Sequence, residues 1–148
     1  MNKPSTFSRI VLLAVMLAGC ASNTKGTEPI VVYANETGDT AIVVSWNCSR
    51  MPPNLLMVKG AVRDISAGNV QDVAIQVVGI GPDGGQISSG QGFTEEIILT
   101  PSYASPFKVA VNTAGTEKRF ALFFSYRVGT TTYASPQQAN PPNACPGL

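Results

Sequence analysis

The sequence has 148 residues, ten Lys and Arg against nine Asp and Glu, three cysteines and no histidine. The near-balance of charge excludes the basic excess of a nucleic-acid binder, and 44% hydrophobic against 13% charged residues is too apolar for a disordered chain. Without histidine there is no His-based triad, no His-ligated zinc and no histidine pH switch, and the length suggests one domain.

The N-terminus reads as an address. Lys3 and Arg9 make a positive start, and Ile10 to Ala18 is a nine-residue apolar run. A membrane-spanning helix needs about 20 such residues, so this run is too short to span alone. It ends in Leu17, Ala18, Gly19 and Cys20. This ending resembles the lipobox of bacterial lipoproteins, a branched apolar residue and two small ones before a cysteine. The resemblance implies that residues 1–19 are a cleaved signal peptide and that Cys20 becomes the acylated first residue. The alternative is an ordinary signal peptide with a cysteine near its cut site. Ala21 and Ser22 follow in place of the aspartate that commonly retains such proteins in the inner membrane. The resemblance therefore implies the outer membrane, periplasmic face. One acyl chain holds only marginally, whereas two or more on one residue anchor stably.

Residues 20–29 are polar, have no apolar period and read as a lipidated tether. Ala21 to Pro29 reaches at most about 30 Å when extended. The mature chain loses Lys3 and Arg9, which leaves eight basic against nine acidic residues, a net of −1.

From residue 30 to 134 the pattern is that of strands. Apolar residues alternate with polar ones between Gly, Pro, Asn and Asp punctuation. Short apolar runs sit at Ile30–Tyr33 and Ile97–Leu99. Thr40 to Cys48 puts Ile42, Val44, Trp46 and Cys48 on one face. Leu55 to Arg63 does so with Leu56, Val58, Gly60 and Val62, and Asp72 to Ile80 with Val73, Ile75 and Val77. Phe107 to Asn112 alternates Phe107, Val109 and Val111 against Lys108 and Asn112. Arg119 to Val128 alternates Phe120, Leu122, Phe124, Tyr126 and Val128 against Arg119, Ser125 and Arg127. Thr131 to Ala134 can close a hairpin after Gly129 and Thr130. One-faced alternation belongs to antiparallel sheets. The expected fold is all-β, an immunoglobulin-like antiparallel β-sandwich of seven to nine strands, with a small closed barrel as the alternative.

Residues 58–126 resemble the FxLYD-type domain, an immunoglobulin-like module of bacterial envelope proteins. The resemblance rests on Val58-Lys59-Gly60-Ala61-Val62, on Val73 to Val77, and on the Pro82-Asp83-Gly84-Gly85 turn. It continues through Leu99-Thr100-Pro101, Ser105-Pro106-Phe107 and the aromatic Phe120 to Tyr126. The chain departs at the naming motif, with Gly79-Ile80-Gly81 in its place. The resemblance implies the fold and brings no catalytic residue.

Candidate chemistry is sparse. Gly79 to Gly84 fits G-x-G-x-x-G, but a dinucleotide site needs a helix to follow, and Pro-Asp-Gly is a turn signal. Glu95 and Glu96 are the only adjacent acidic pair; on a strand they point to opposite faces and read as edge charges. With Cys20 lipidated, Cys48 and Cys145 form an even pair that reads as a disulfide in an oxidising periplasm. The bridge would pin the Pro-rich tail, residues 135–148. The alternative is two free thiols. No catalytic residue, metal ligand or cofactor is expected. The expected function is a non-enzymatic adaptor or assembly factor for an envelope complex, held to the membrane by Cys20. Its candidate partner loop is Pro82, Asp83, Gly84 and Gly85 in the Gly-rich hairpin Ile80–Gly92. A glycan- or peptide-binding module and an inhibitor of a periplasmic enzyme are the alternatives.

Overall fold

The computed structural model describes residues 31–135 and 143–148. The signal peptide, Cys20, the tether and residues 136–142 of the tail lie outside the described residues.

Alternating runs become strands because one set of side chains is apolar at every second position. In chain order the strands are β1 (Asn35–Gly38), β2 (Ile42–Met51), β3 (Leu55–Asp64), β4 (Val70–Ile80), β5 (Gln86–Phe93), β6 (Ile98–Leu99), β7 (Ala104–Asn112), β8 (Arg119–Val128) and β9 (Thr131–Ala134). The first sheet has the order β1-β2-β3-β7 and the second β5-β4-β8-β9, with β6 also on β4. Every strand pair is antiparallel. The described residues thus form an immunoglobulin-like all-β sandwich.

The inward sets of both sheets make one core. Ile42, Val44 and Trp46 of β2 and Leu56, Val58 and Val62 of β3 meet Val73, Ile75 and Val77 of β4 and Phe120, Leu122 and Phe124 of β8, all buried. The inward faces expected from the alternation are the faces found.

Two places depart from the expected pattern. The apolar run at Ile30–Tyr33 is no strand in its described part, residues 31–33; the first strand is the more polar Asn35–Gly38. Asn47 supplies the reason. Its amide nitrogen donates to the Val32 carbonyl at 3.0 Å, and its oxygen accepts from the Ala34 amide at 2.7 Å. A side chain thus takes the bonds a ladder would have used, and Val31 and Val32 remain 59% and 80% exposed. The second departure is a bulge in β4 between Gln71 and Ala74, where Asp72 has φ 52°. Aspartate tolerates that left-handed region better than most residues. Its carboxylate accepts from Arg127 Nε at 2.9 Å and from a terminal guanidinium nitrogen at 2.6 Å.

Candidate interaction surfaces

The C-terminal tail is part of the core. Cys48 and Cys145 form a disulfide that closes 97 positions of chain, with Cα atoms 5.7 Å apart. Ala144 and Cys145 are both buried. The Ala144 amide donates to the Phe120 carbonyl on β8 at 2.6 Å. The Ala144 carbonyl accepts from the Trp46 indole on β2 at 2.6 Å. One peptide segment therefore ties the two sheets. Asn143 sets it in place, its side-chain oxygen accepting from the amides of Phe120 and Cys145 at 3.3 and 3.2 Å. Asn143 also forms an isolated bridge with Ala121 of β8.

A second tie lies between the β1–β2 turn and β8. Tyr126 donates to Asp39 at 2.7 Å, while the other Asp39 oxygen accepts from the amides of Ala41 and Ile42 at 2.8 and 3.0 Å. Burial, and then the hydrogen bond to Asp39, push the Tyr126 hydroxyl well above its ordinary range.

Pro82, Asp83, Gly84 and Gly85 form the exposed turn between β4 and β5. It closes on itself. The Gly81 amide donates to Gly85 carbonyl at 2.8 Å, and Asp83 accepts from the Gly85 amide at 3.1 Å. Gly84 has φ 83°, which glycine adopts without strain. The G-x-G-x-x-G match is thus a hairpin turn, and β5 follows it in place of a helix.

The other glycines of this hairpin have a different role from the open, flexible backbone their number suggests. Gly90 and Gly92 face inward onto β7. A Cβ on Gly90 would lie 2.2 Å from the Ala110 carbonyl oxygen, and one on Gly92 2.2 Å from that of Lys108. The missing side chains let β5 lean on the β7 backbone and cover an edge that would otherwise be open to pairing.

Glu95 and Glu96 lie in the connection between β5 and β6 and not on a strand. The Glu96 carboxylate accepts from the buried Ser105 hydroxyl and from Tyr103. It pins a loop. Glu117 is held by Ser88 at 2.7 Å and by the amides of Ala114 and Gly115 at 2.7 and 2.9 Å. Burial raises its carboxyl, but these bonds together outweigh that effect and set it below its ordinary value of 4.5. Among the described residues there is no group of three or more Cys, Asp and Glu that could hold a metal ion.

Two shallow depressions mark the outer faces. On the second sheet a groove of about 230 Å³ is lined by Ala74, Gln76, Gln91, Phe123, Phe124, Ser125, Ala134 and Ser135. On the first sheet a cradle of about 460 Å³ is lined by Val31, Tyr33, Asn47, Lys59, Pro106, Lys108 and Glu95. Lys59 and Lys108 are directly opposite each other across β3 and β7.

Sequence reasoning singled out the disulfide and the turn. It passed over Asn143 and Ala144, whose role depends on where a distant tail lands. It also passed over Asp39, although aspartate two residues before an apolar run is a recognisable turn signal. The Lys59–Lys108 juxtaposition needs the β3–β7 register, which no local pattern states.

No protein-family model matches the sequence, and no curated protein matches it. The FxLYD-type resemblance therefore rests on the quoted residues alone. Among solved structures the chain is similar to the GAE domain of GGA2p from Saccharomyces cerevisiae, at 9% identity and a TM-score of 0.48, over 68% of this chain and 91% of that one. It is also similar to the yeast GGA1 GAE domain, at 12% identity, a TM-score of 0.48 and the same coverage. At these values neither likeness transfers a residue, a ligand or a role.

Proposed function

We propose that this chain is a lipid-anchored, non-enzymatic adaptor of the bacterial envelope. Cys20 carries the anchor at the periplasmic face of the outer membrane, and the sandwich presents a protein-contact surface. The observation that carries this reading is the Cys48–Cys145 disulfide. Structural disulfides persist in oxidising compartments and are rare in the bacterial cytosol, which agrees with an exported chain whose third cysteine follows a lipobox. The FxLYD-type resemblance to envelope modules supports the same compartment.

Non-enzymatic action is supported by the absence of histidine from the sequence and by the hydrogen bonds that engage the Glu96 and Glu117 carboxylates in holding loops. The proposed partner contact is the Pro82–Gly85 turn. Its exposed residues project beyond the sheets, and its own hydrogen bonds preorganise it, which lowers the ordering cost of binding. The test replaces Pro82–Gly85 with a neutral turn and compares folding with recovery of crosslinked envelope proteins. Normal folding with lost partners supports the reading, and unchanged partners refute the loop as the contact.

The groove on the second sheet favours one alternative, a glycan- or peptide-binding module, because its lining of Gln76, Gln91, Phe123 and Ser125 is uncharged and polar beside an aromatic ring. A thermal shift with neutral oligosaccharides or peptides, abolished by Phe123→Ala, would favour it over the adaptor.

A further inference from the structure

We propose that the outer face of the first sheet is the side this domain turns to the membrane, with Lys59 and Lys108 meeting anionic phospholipid headgroups. The inference rests on the anchor at Cys20 proposed above.

The starting observation is a pairing that folding alone does not favour. Lys59 and Lys108 are register partners on β3 and β7, and both are exposed. Like charges directly opposite each other destabilise a sheet. Neither ammonium has a carboxylate partner among the described residues, whereas Arg127 on the other sheet pairs with Asp72. An anion arriving from outside would relieve the repulsion.

The surroundings select the kind of anion. Val31 and Val32 are 59% and 80% exposed, and Val31 and Tyr33 line the same cradle as the two lysines. Cationic groups beside exposed apolar and tyrosine side chains make the composition of a contact with a lipid interface. The covalent route agrees. Eleven residues lead from Cys20 to Val31, a reach of at most about 40 Å, and the chain enters the sandwich at this cradle.

The electrostatics are modest and local. Glu95 lines the cradle, and Glu36 lies on the same sheet, bonded to Ser45. With Arg63 the face carries three cations against these two acids, so attraction is concentrated at the lysine pair. A single basic residue near an anionic surface adds only a weak attraction. That is too little to recruit a free protein. A short tether, however, holds the domain at an effective concentration in the millimolar range, where such contacts suffice to choose an orientation. The second sheet, with the Pro82–Gly85 turn, then faces away from the bilayer.

The test uses the full lipidated protein, reconstituted into vesicles of phosphatidylglycerol with phosphatidylethanolamine or of phosphatidylcholine alone. A membrane-impermeant amine reagent and mass spectrometry read each lysine. In anionic vesicles, labelling of Lys59 and Lys108 is expected to fall several-fold, while the exposed Lys118 is unchanged, and high salt is expected to restore it. Lys108→Glu creates an opposite-charge pair with Lys59. It is expected to raise the melting temperature while abolishing protection of Lys59. Equal labelling in both vesicle types overturns the proposal. So does protection that appears only when envelope proteins are added, which would assign the lysines to an acidic protein. If the purified protein proves to lack the lipid, the anchor reading fails by itself. The same labelling with Cys20 coupled to a maleimide phospholipid in anionic vesicles, Cys48 and Cys145 being held in their disulfide, then decides the docking: protection sustains it and no protection overturns it.

Discussion

The indole nitrogen of Trp46 donates a 2.6 Å hydrogen bond to the carbonyl of Ala144, across 98 positions of sequence. Two residues along β2, Cys48 is joined to Cys145. The two links hold the same short stretch of tail, one through a polar contact in the core and one covalently. Trp46→Phe keeps the ring but leaves a buried carbonyl without its donor, and an orphaned buried group costs about 1–3 kcal/mol. Urea denaturation should show that loss. A double-mutant cycle with Cys48→Ala/Cys145→Ala should give non-additive changes, because both links order the same segment. Removing a native disulfide typically costs about 2–5 kcal/mol.

The glycines of β5 separate turn from packing. Gly90→Ala places a methyl against the Ala110 carbonyl, with Val111 also close. Overpacking of this kind costs about 1–3 kcal/mol. A Cβ on Gly84 meets no atom within 4 Å, and the strain there comes only from its φ of 83°. Melting temperatures of the two alanine variants, with Gly84→Asn as a third, check the distinction. Asparagine is expected to restore most of what alanine loses at position 84.

Leu122 lies at the centre of β8, 5% exposed, opposite Val77 of β4. Leu122→Ala should cost about 2–5 kcal/mol by equilibrium unfolding. A loss under 1 kcal/mol would contradict the core assignment.

Glu117 links the β7–β8 connection to β5 through Ser88. Its folded carboxyl titrates below the ordinary value of 4.5, so the folded state favours the charged form. The resulting stability is fully present above about pH 4.5 and is lost as pH falls through the depressed folded value. Unfolding free energies measured from pH 7 downward should fall in that window, and Glu117→Gln should flatten the decline.

The fold was legible because the strongest strands carry their burial pattern in local alternation. Leu122 and Phe124 announce their face by their neighbours. What alternation does not encode is the use of side chains in place of backbone. Asn47 takes over two bonds and turns the apolar run at residues 31–33 away from the sheet. Gly90 and Gly92 read only as part of a Gly-rich hairpin, because the reason for them is a neighbour on β7 far along the chain. The cysteine pairing was legible by elimination, whereas Ala144, an unremarkable residue in a Pro-rich tail, became a core residue only once that pairing fixed its position. The Pro82–Gly85 turn was legible as a turn from its composition.

The central claim is that this sandwich hangs from the envelope by a lipid on Cys20. Mass spectrometry of the N-terminal peptide from protein purified out of native membranes tests it most directly. The account predicts a first residue Cys20 carrying acyl chains, with residues 1–19 absent, and loss of that species in Cys20→Ala. A chain beginning at an unmodified Met1, or a mature chain with Cys20 unacylated, would contradict it.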